Sequence, residues 1–263
     1  MTILVTNDDG ILADGLWALV RELREIAPVV AIVPDRERSG IGTAVTLYRP
    51  LRVHQVRPMV PEVDTYAVEG TPSDCVILGL SSLVKDRITM VVAGINQGAN
   101  MGDDVLISGT VAAALQGNLR GLPALAISIE ATDSCYLDTA TRLAALLAGR
   151  VNAGALPGNI FLNVNVPDLP LAAIRGITAT RLASGTHADG AEKSNDGKRD
   201  CYWLVRTRTD NVTDDGTDVG ALGRGSISIT PLSARMLDGR SPAIPDNLCS
   251  GLFQELQHTA GER

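Results

Sequence analysis

The stretch Ile3-Leu4-Val5-Thr6-Asn7-Asp8-Asp9-Gly10 decides the fold of this chain. A short apolar run that ends in polar residues and a glycine predicts a buried strand followed by a tight turn. In an open α/β sheet, ligands bind beyond the carboxyl ends of the strands, so this strand end predicts a functional site. The next residues have helical spacing, with an apolar stripe at Leu16, Leu19, Val20, Leu23 and Ile26.

The adjacent carboxylates of Asp8 and Asp9 are the most informative side chains of this stretch. Two negative charges side by side repel each other, and a hard divalent cation is the compensation that such a pair favours. The alternative is that one aspartate caps the following helix while the other is solvated, since Asp is a common N-cap residue.

Strand and helix patterns alternate along the first two thirds of the chain. Buried strands are predicted at 29–33, 90–95, 125–128 and 160–166, and helices at 111–119 and 138–147. This alternation is typical of βαβ units, so we predict an α/β fold with a mainly parallel sheet and flanking helices.

The pattern changes in the last third of the chain. Residues 184–200 are polar and glycine-rich between strand-like runs at 177–181 and 202–207, which predicts a long hairpin arm or a mobile loop. The tail has an amphipathic helix signal at Leu248, Leu252, Phe253 and Leu256. We therefore expect a core at 1–180, and an arm, late strands and a C-terminal helix at 181–263. The second segment is expected to belong to the same domain and to form a dimer or tetramer interface.

Composition limits the classes of partner. The 263 residues carry a net charge of −7, which argues against a nucleic-acid polymer as partner, because such proteins cluster Lys and Arg. No apolar run approaches 18 residues and no signal peptide precedes the first strand, so we expect a soluble cytoplasmic protein without a membrane partner. The four cysteines, Cys75, Cys135, Cys201 and Cys249, are widely spaced and form no CxxC pair, so we expect reduced thiols, as in a cytoplasmic protein.

Three further polar clusters follow predicted strands, at residues 35–40, 94–104 and 108–110. The third, Ser108-Gly109-Thr110, opens a helix and offers backbone amides, a hydroxyl cap and the positive end of the helix dipole, which together suit an anion. The chain has neither a GxxxxGK(S/T) motif nor a GxGxxG motif after its first strand, so a P-loop NTPase and a dinucleotide-binding fold are not expected.

Several of these motifs, in this order, resemble the survival protein SurE family, most densely over residues 1–130. The motifs are Asn7-Asp8-Asp9-Gly10, Asp35 to Ser39, Gly70-Thr71-Pro72-Ser73-Asp74-Cys75-Val76, Gly94-Ile95-Asn96 and Ser108-Gly109-Thr110-Val111. The resemblance implies a Rossmann-like core with C-terminal elements that exchange or pack between subunits. It also implies a metal-dependent 5′/3′-nucleotidase that acts on nucleoside monophosphates and, in some members, on short polyphosphate.

The resemblance further implies a ligand set of Asp8, Asp9, Ser39 and Asn96 around one Mg²⁺ or Mn²⁺ per subunit. All four are oxygen ligands, which suit these ions better than zinc. The chain departs from the family pattern at Ala93, Ile107 and Gln116, where Ser, Tyr and Glu are usual. None of these departures falls on a predicted ligand.

The chemistry predicted for this set is metal-assisted hydrolysis of a phosphomonoester, with Asp8, Asp9 and Asn96 as the catalytic residues. Asn96, Ser108, Gly109 and Thr110 are predicted to bind the phosphate. A second possibility makes Asp8 a nucleophile that forms an aspartyl-phosphate. A non-catalytic phospho-receiver or metal-binding regulatory module is the alternative from another class, and it needs a strand-end lysine for which the sequence offers no good candidate.

Overall fold

The computed structural model describes residues 2–130, 136–184, 187–195, 197, 199–208 and 214–233. The helices are α1 (Asp14–Arg24), α2 (Pro72–Leu78), α3 (Gly109–Asn118), α4 (Leu137–Asn152) and α5 (Asp218–Gly223). The strands are β1 (Thr2–Thr6), β2 (Val29–Pro34), β3 (Val53–Gln55), β4 (Asp64–Val68), β5 (Ile88–Gln97), β6 (Ala124–Glu130), β7 (Phe161–Pro167), β8 (Ile177–Ala179), β9 (His187–Asn195), β10 (Asp200–Arg208) and β11 (Ile227–Pro231).

A nine-stranded sheet with the order β3-β4-β2-β1-β5-β6-β7-β11-β8 forms the centre of the protein. The strands from β4 to β7 in this order are all parallel. Antiparallel pairing occurs only towards the two edges, where β3 pairs with β4 and β11 pairs with β7. The predicted α/β class with a mainly parallel sheet is therefore confirmed.

Helices cover both faces of the sheet and create two hydrophobic cores. Successive residues of a strand point to opposite faces, so Ile3 and Val5 of β1 enter one core while Leu4 enters the other. The first core lies under α1 and α4, and the second lies under α2 and α3. The near-continuous apolar sequence of the parallel strands follows from burial on both faces.

The predicted elements are present, but the ends of several were placed wrongly. The strand predicted at 90–95 runs from Ile88 to Gln97, α3 begins at Gly109, and α4 extends to Asn152. Ile26 does not belong to the buried stripe of α1, because the helix ends at Arg24 and Ile26 is 37% exposed. Pro28 explains this early end, since a proline disfavours helical backbone in the preceding residue.

Sequence patterns missed β3, β4 and α2, which lie between β2 and β5. The helix α2 nevertheless has a clear start signal, because Thr71 and Asp74 form a capping box and Pro72 occupies the first turn. The motif Gly70 to Val76, quoted above only for its family resemblance, thus begins a helix that covers one face of the sheet.

The late part of the chain divides between an arm and the central sheet. β9 and β10 pair antiparallel from His187↔Arg208 to Asn195↔Asp200, so the arm predicted around 184–200 is a hairpin. β11 returns to the sheet between β7 and β8. The predicted tail helix lies outside the described residues, and the division of the chain at residue 180 stays a prediction.

Two further sequence expectations concern the thiols and the membrane. Cys75 is a buried free thiol and Cys201 is a half-buried one, while Cys135 and Cys249 lie outside the described residues. Among the helices that the structure describes, none combines the length and the apolar character needed to cross a bilayer.

Candidate active site

The sheet has its topological switch point between β1 and β5. From β1 the chain builds β2 and β4 on one side and then crosses to β5, β6 and β7 on the other. Ligands of open α/β sheets bind where the strand order reverses in this way. Asp8 and Asp9 follow β1, and Asn96 lies near the end of β5, so the structure brings these predicted site residues to one crevice.

Asp8 lies against the start of α3. The residue is 4% exposed, and its Oδ1 accepts a hydrogen bond from the Thr110 hydroxyl. The backbone amides of Gly109 and Thr110 also bind this carboxylate. Burial raises the pKa of Asp8, and the Thr110 hydroxyl and the helix amides oppose that rise. The start of α3 therefore binds a carboxyl group in the structure, that of Asp8.

Asp9 is half-buried beside Asp8 and has a weaker set of partners. Its Oδ2 accepts a hydrogen bond from the backbone amide of Gln97 at 3.3 Å. Burial, followed by the charge of Asp8, raises the pKa of Asp9 to about 6, and the charge of Glu37 adds to this rise. Within the described part of the chain, no Lys, Arg or His forms an ion pair with either aspartate. Among these described residues, nothing compensates the negative charge of the pair by an ion pair.

Asn96 lies near the end of β5, the strand beside the one that precedes Asp8 and Asp9. It is 8% exposed, and its Nδ2 donates to the carbonyl of Gly98 at 2.7 Å, a bond that does not use Oδ1, the atom that the predicted ligand role requires. The register between β5 and β6 shifts between Ala93 and Asn96, and Gly94 in this irregular stretch has a φ of +136°. Such an irregularity re-aims the side chains that follow it.

The Ser39 side chain forms its hydrogen bond with a residue other than Asp8 and Asp9. Its side chain is exposed, and its hydroxyl donates to Glu37 Oε1 at 2.9 Å. The backbone of this loop still contacts the site, because the amide of Arg38 donates to the carbonyl of Asp8 at 2.7 Å. Glu37 is the nearby acid that sequence reasoning missed. Even so, the described residues contain no group of three or more His, Cys, Asp or Glu side chains arranged to hold a metal ion.

The predicted phosphate-binding residues Ser108, Gly109 and Thr110 form the first turn of α3. Ser108 is the N-cap, and its Oγ accepts from the amide of Val111 at 3.1 Å. The Thr110 hydroxyl and the amides of Gly109 and Thr110 bind Asp8, as described above. The structure therefore places Gly109 and Thr110, two of the predicted phosphate-binding residues, against Asp8, a predicted metal ligand, and these three residues form the Asp8 cluster. Ser39, by contrast, bonds elsewhere.

A buried network of amide side chains lies behind this cluster, and sequence reasoning did not predict it. The backbone carbonyl of Asn100 accepts hydrogen bonds from the side-chain Nδ2 of Asn163 at 2.8 Å and of Asn165 at 3.0 Å. The Nδ2 of Asn100 donates to Ser128 Oγ at 2.8 Å. The signal was present, since Asn163 and Asn165 are two residues apart on a buried strand and therefore point to the same face.

Asp74 holds the loop that carries Ser39. Its carboxylate is 2% exposed and accepts from the amide and the hydroxyl of Thr46 at 2.9 and 2.7 Å. It also accepts from the amide of Thr71 at 2.9 Å. Farther along this loop, Gly42 donates its amide to the carbonyl of Ile107 at 2.8 Å. The loop is thereby fixed to the residues that immediately precede α3.

Comparisons with known proteins identify the family of this chain. The family model described as "Survival protein SurE" matches residues 3–189. A protein of Dehalococcoides mccartyi strain CBDB1 named 5′-nucleotidase SurE is 48% identical over 255 residues, which is 96% of each chain. A Vibrio parahaemolyticus protein with the same name is 44% identical over 234 residues, or 88% of each chain. The crystal structure of the SurE protein from Aquifex aeolicus superposes with a TM-score of 0.78 at 30% identity, covering 97% of this chain and 100% of that one.

Proposed function

The chain belongs to the survival protein SurE family, and from this premise we propose that it hydrolyses nucleoside monophosphates to nucleoside and phosphate beside Asp8 and Asp9. It is a nucleotidase, as its relatives are named. The observation that supports this location is the adjacent carboxylates of buried Asp8 and half-buried Asp9 at the switch point of the sheet, which have no positive partner in the described part of the chain. A non-catalytic receiver module is set aside, because the relatives that match over most of the chain are named as enzymes.

One Mg²⁺ or Mn²⁺ per subunit is the cation that we propose for this site. Asp8, Asp9, Asn96 and Ser39 would hold it, because their carboxylate, amide and hydroxyl oxygens form a donor set that suits a hard ion. The fit is supported by two adjacent carboxylates that have no ion-pair partner among the described residues, because a bound cation would offset their mutual repulsion. When bound, such an ion supplies Lewis-acid activation of the phosphoryl group and of the attacking water.

The chain's own residues supply orientation and charge. Thr110 and the first amides of α3 fix the carboxylate of Asp8, so this side chain keeps one position during the reaction. Asn96, Ser108, Gly109 and Thr110 are proposed to bind the phosphate. Since the amides of Gly109 and Thr110 serve Asp8 in the structure, the phosphate has to share this helix end with that carboxylate.

The alternative role for Asp8 is that of a nucleophile, which would pass through an aspartyl-phosphate. The two roles differ in a covalent product. Mass spectrometry of a rapidly quenched reaction should find unmodified protein if Asp8 acts only as a ligand, and an added phosphoryl group on the peptide that contains Asp8 if it attacks.

A phosphate-release panel tests the proposed activity. The 5′- and 3′-monophosphates of the common nucleosides are incubated with the full chain in Mg²⁺, in Mn²⁺ and in a chelator. Phosphate release that requires one of the two ions supports the proposal, and equal release in the chelator contradicts the metal requirement. Short polyphosphate in the same panel tests the second substrate class that the family resemblance implies.

Thr110 provides a graded test of the Asp8 cluster. The change Thr110→Ala removes the hydroxyl that binds Asp8 and leaves the helix amides, so we expect kcat to fall roughly ten- to a hundredfold, as for one lost polar contact. Thr110→Ser keeps the hydroxyl and is the matched control, with an expected loss below about threefold. Similar losses in both variants would show that the hydroxyl is not the group that matters.

Self-association is proposed on the basis of the arm. Tyr202, Trp203 and Leu204 of β10 are 65%, 68% and 91% exposed, which is an unfavourable surface for a monomer. We expect a dimer or tetramer with the C-terminal part crossing between subunits. Deleting the tail from Asn247 should lower the mass measured by light scattering, and an unchanged mass would contradict a contribution of the tail.

The proposal also includes a cytoplasmic location and small nucleotides as substrates. Widely spaced cysteines, of which Cys75 and Cys201 are free thiols, suit a reducing compartment. The net charge of −7 favours a mononucleotide substrate over a nucleic-acid polymer.

A further inference from the structure

Asp218, the first residue of α5, makes contacts that its position near the end of the described chain does not suggest. Its side chain is fully buried, and its two oxygens bind three backbone amides. Oδ1 accepts from Ala183 at 2.9 Å and from Val219 at 2.9 Å, and Oδ2 accepts from Gly102 at 2.8 Å. A buried carboxylate whose oxygens are bound in this way is held firmly and holds its partners firmly.

The three amides belong to different parts of the protein. Val219 follows Asp218 in α5, Ala183 belongs to the root of the hairpin arm (residues 181–184), and Gly102 belongs to the loop after β5 (residues 98–108). The amide of Asp218 itself donates to the carbonyl of Arg181 at 3.0 Å, which strengthens the connection to the arm root. The Asp218 carboxylate thus connects the arm root directly to the loop after β5, two segments that are distant in the sequence.

The loop after β5 leads to the Asp8 cluster. Gly102 begins a 3₁₀ turn that ends at Leu106, and Ser108 caps α3 only two residues later. The amide of Ser108 donates to the carbonyl of Asp104 in this turn at 3.0 Å. A shift at Gly102 is therefore transmitted through one short turn to the residues that hold Asp8.

The other end of the loop has a separate anchor. Asn100 is fixed by Asn163, Asn165 and Ser128, so the loop is held at Asn100 from the sheet and at Gly102 from α5. Gly102 has a φ of +53°, a conformation that glycine adopts readily and that is strained for other residues. The bond to Asp218 fixes the loop at this turn.

We infer that Asp218 is a positioning residue for the reaction, because it holds Gly102, and through it the start of α3, in the geometry that the Asp8 cluster needs. The inference rests on the proposed function. It also connects that function with the arm, since the same carboxylate binds the arm root. Asp218 lies outside the predicted metal-binding and phosphate-binding residues, so its role is separate from theirs.

The substitution Asp218→Asn tests this role selectively. An asparagine keeps one acceptor oxygen, which satisfies Ala183 and Val219 in the position of Oδ1, and it places an NH₂ group against the amide of Gly102. We expect kcat to fall roughly ten- to thirtyfold, as for the loss of one hydrogen bond to a charged group, with the half-saturating Mn²⁺ concentration changed less than about twofold. Hydrogen exchange should accelerate in peptides that contain residues 100–108 and remain unchanged at the arm root.

The matched control is Asp214→Asn. Asp214 also contacts the arm root, through an ion pair with Arg181, and it accepts a hydrogen bond from the amide of Gly216 at 2.9 Å. It is exposed, and in the described part of the chain it makes no bond to the loop after β5. We expect kcat and the exchange of residues 100–108 to stay at the wild-type values. If Asp218→Asn is too unstable to assay, Gly102→Ala disturbs the same bond from the other partner, because alanine is strained at φ +53°.

The outcomes separate the inference from the proposed function. An inactive wild type in the phosphate-release panel would contradict the function. An active wild type, with Asp218→Asn and Gly102→Ala both at its kcat, would overturn the positioning role alone. A fall in kcat with slow exchange preserved at residues 100–108 would also overturn it, because the loss would then not pass through the loop.

Discussion

Asp8→Asn and Asp9→Asn are each expected to lower nucleotidase activity by about 10³-fold or more. The two carboxylates carry the negative charge of the proposed cation site, and that cation supplies both activation of the water and stabilisation of the developing charge. An amide keeps the shape of the side chain and removes its charge. Initial rates of phosphate release in Mn²⁺, at several concentrations of the ion, measure the loss and show whether excess metal restores activity.

Stability measurements on the same variants separate a damaged site from a damaged fold. Burial raises the pKa of both carboxyls, so the folded state binds their protons more tightly than the unfolded state does, and the ionised pair costs stability above the raised pKa of about 6 for Asp9. At pH 7.5 in a chelator, each variant should therefore melt at or above the wild-type temperature. Mn²⁺ should raise the melting temperature of the wild type and raise that of the variants much less.

A clear result would count against this assignment. If either variant retained metal-dependent phosphatase activity near that of the wild type, the substituted residue would not be a ligand. Asp35→Asn is a suitable control, because Asp35 is also an aspartate at a strand end, after β2, and it forms an ion pair with Arg38. The activity of the Asp35→Asn variant should remain within about tenfold of the wild type, since an ion pair that is exposed or half-buried contributes little to stability.

The sequence could predict those parts of the fold and site that depend on short-range pattern. The strand ending at Asp8 and Asp9 and the helix starting at Ser108 are encoded by neighbouring residues, and the parallel sheet follows from the repeated alternation of strands and helices. The predicted end of α1 was wrong, because the apolar spacing continues to Ile26, whereas the helix ends at Arg24, ahead of Pro28. The helix α2 was missed although its capping box is visible at Thr71 and Asp74, because the segment is only seven residues long.

Contacts between distant residues could not be predicted from the sequence. Thr110 and Asp8 are 102 positions apart, and Gly102 and Asp218 are 116 positions apart. Each of these residues has an ordinary local explanation: it is a residue within a helix, a glycine in a turn, or an acid near the N-terminus of a helix. Their pairing depends on how the strands are ordered in the sheet, and two residue types alone do not determine that order. The sequence therefore predicted candidate site residues, but it did not predict the bonds between them.

Gly109→Ala is expected to reduce activity by roughly 10²- to 10³-fold, although it adds only one methyl group. A Cβ at Gly109 would lie 2.8 Å from both Cβ and Oδ2 of Asp8, closer than such atoms approach, so the aspartate or the first turn of α3 must move. Displacement of about 1 Å at a reacting centre costs on the order of a hundredfold, and here a proposed metal ligand is displaced as well. Gly149→Ala on α4 is the control, because no atom beyond its chain neighbours and the backbone of its own helix lies within 4 Å of the added Cβ. This variant should keep wild-type activity with equal or slightly higher stability. Steady-state kinetics over a range of Mn²⁺ concentrations decide the matter. A Gly109→Ala variant with wild-type kcat and wild-type Mn²⁺ dependence would mean that close contact between Asp8 and the start of α3 is not needed for the reaction.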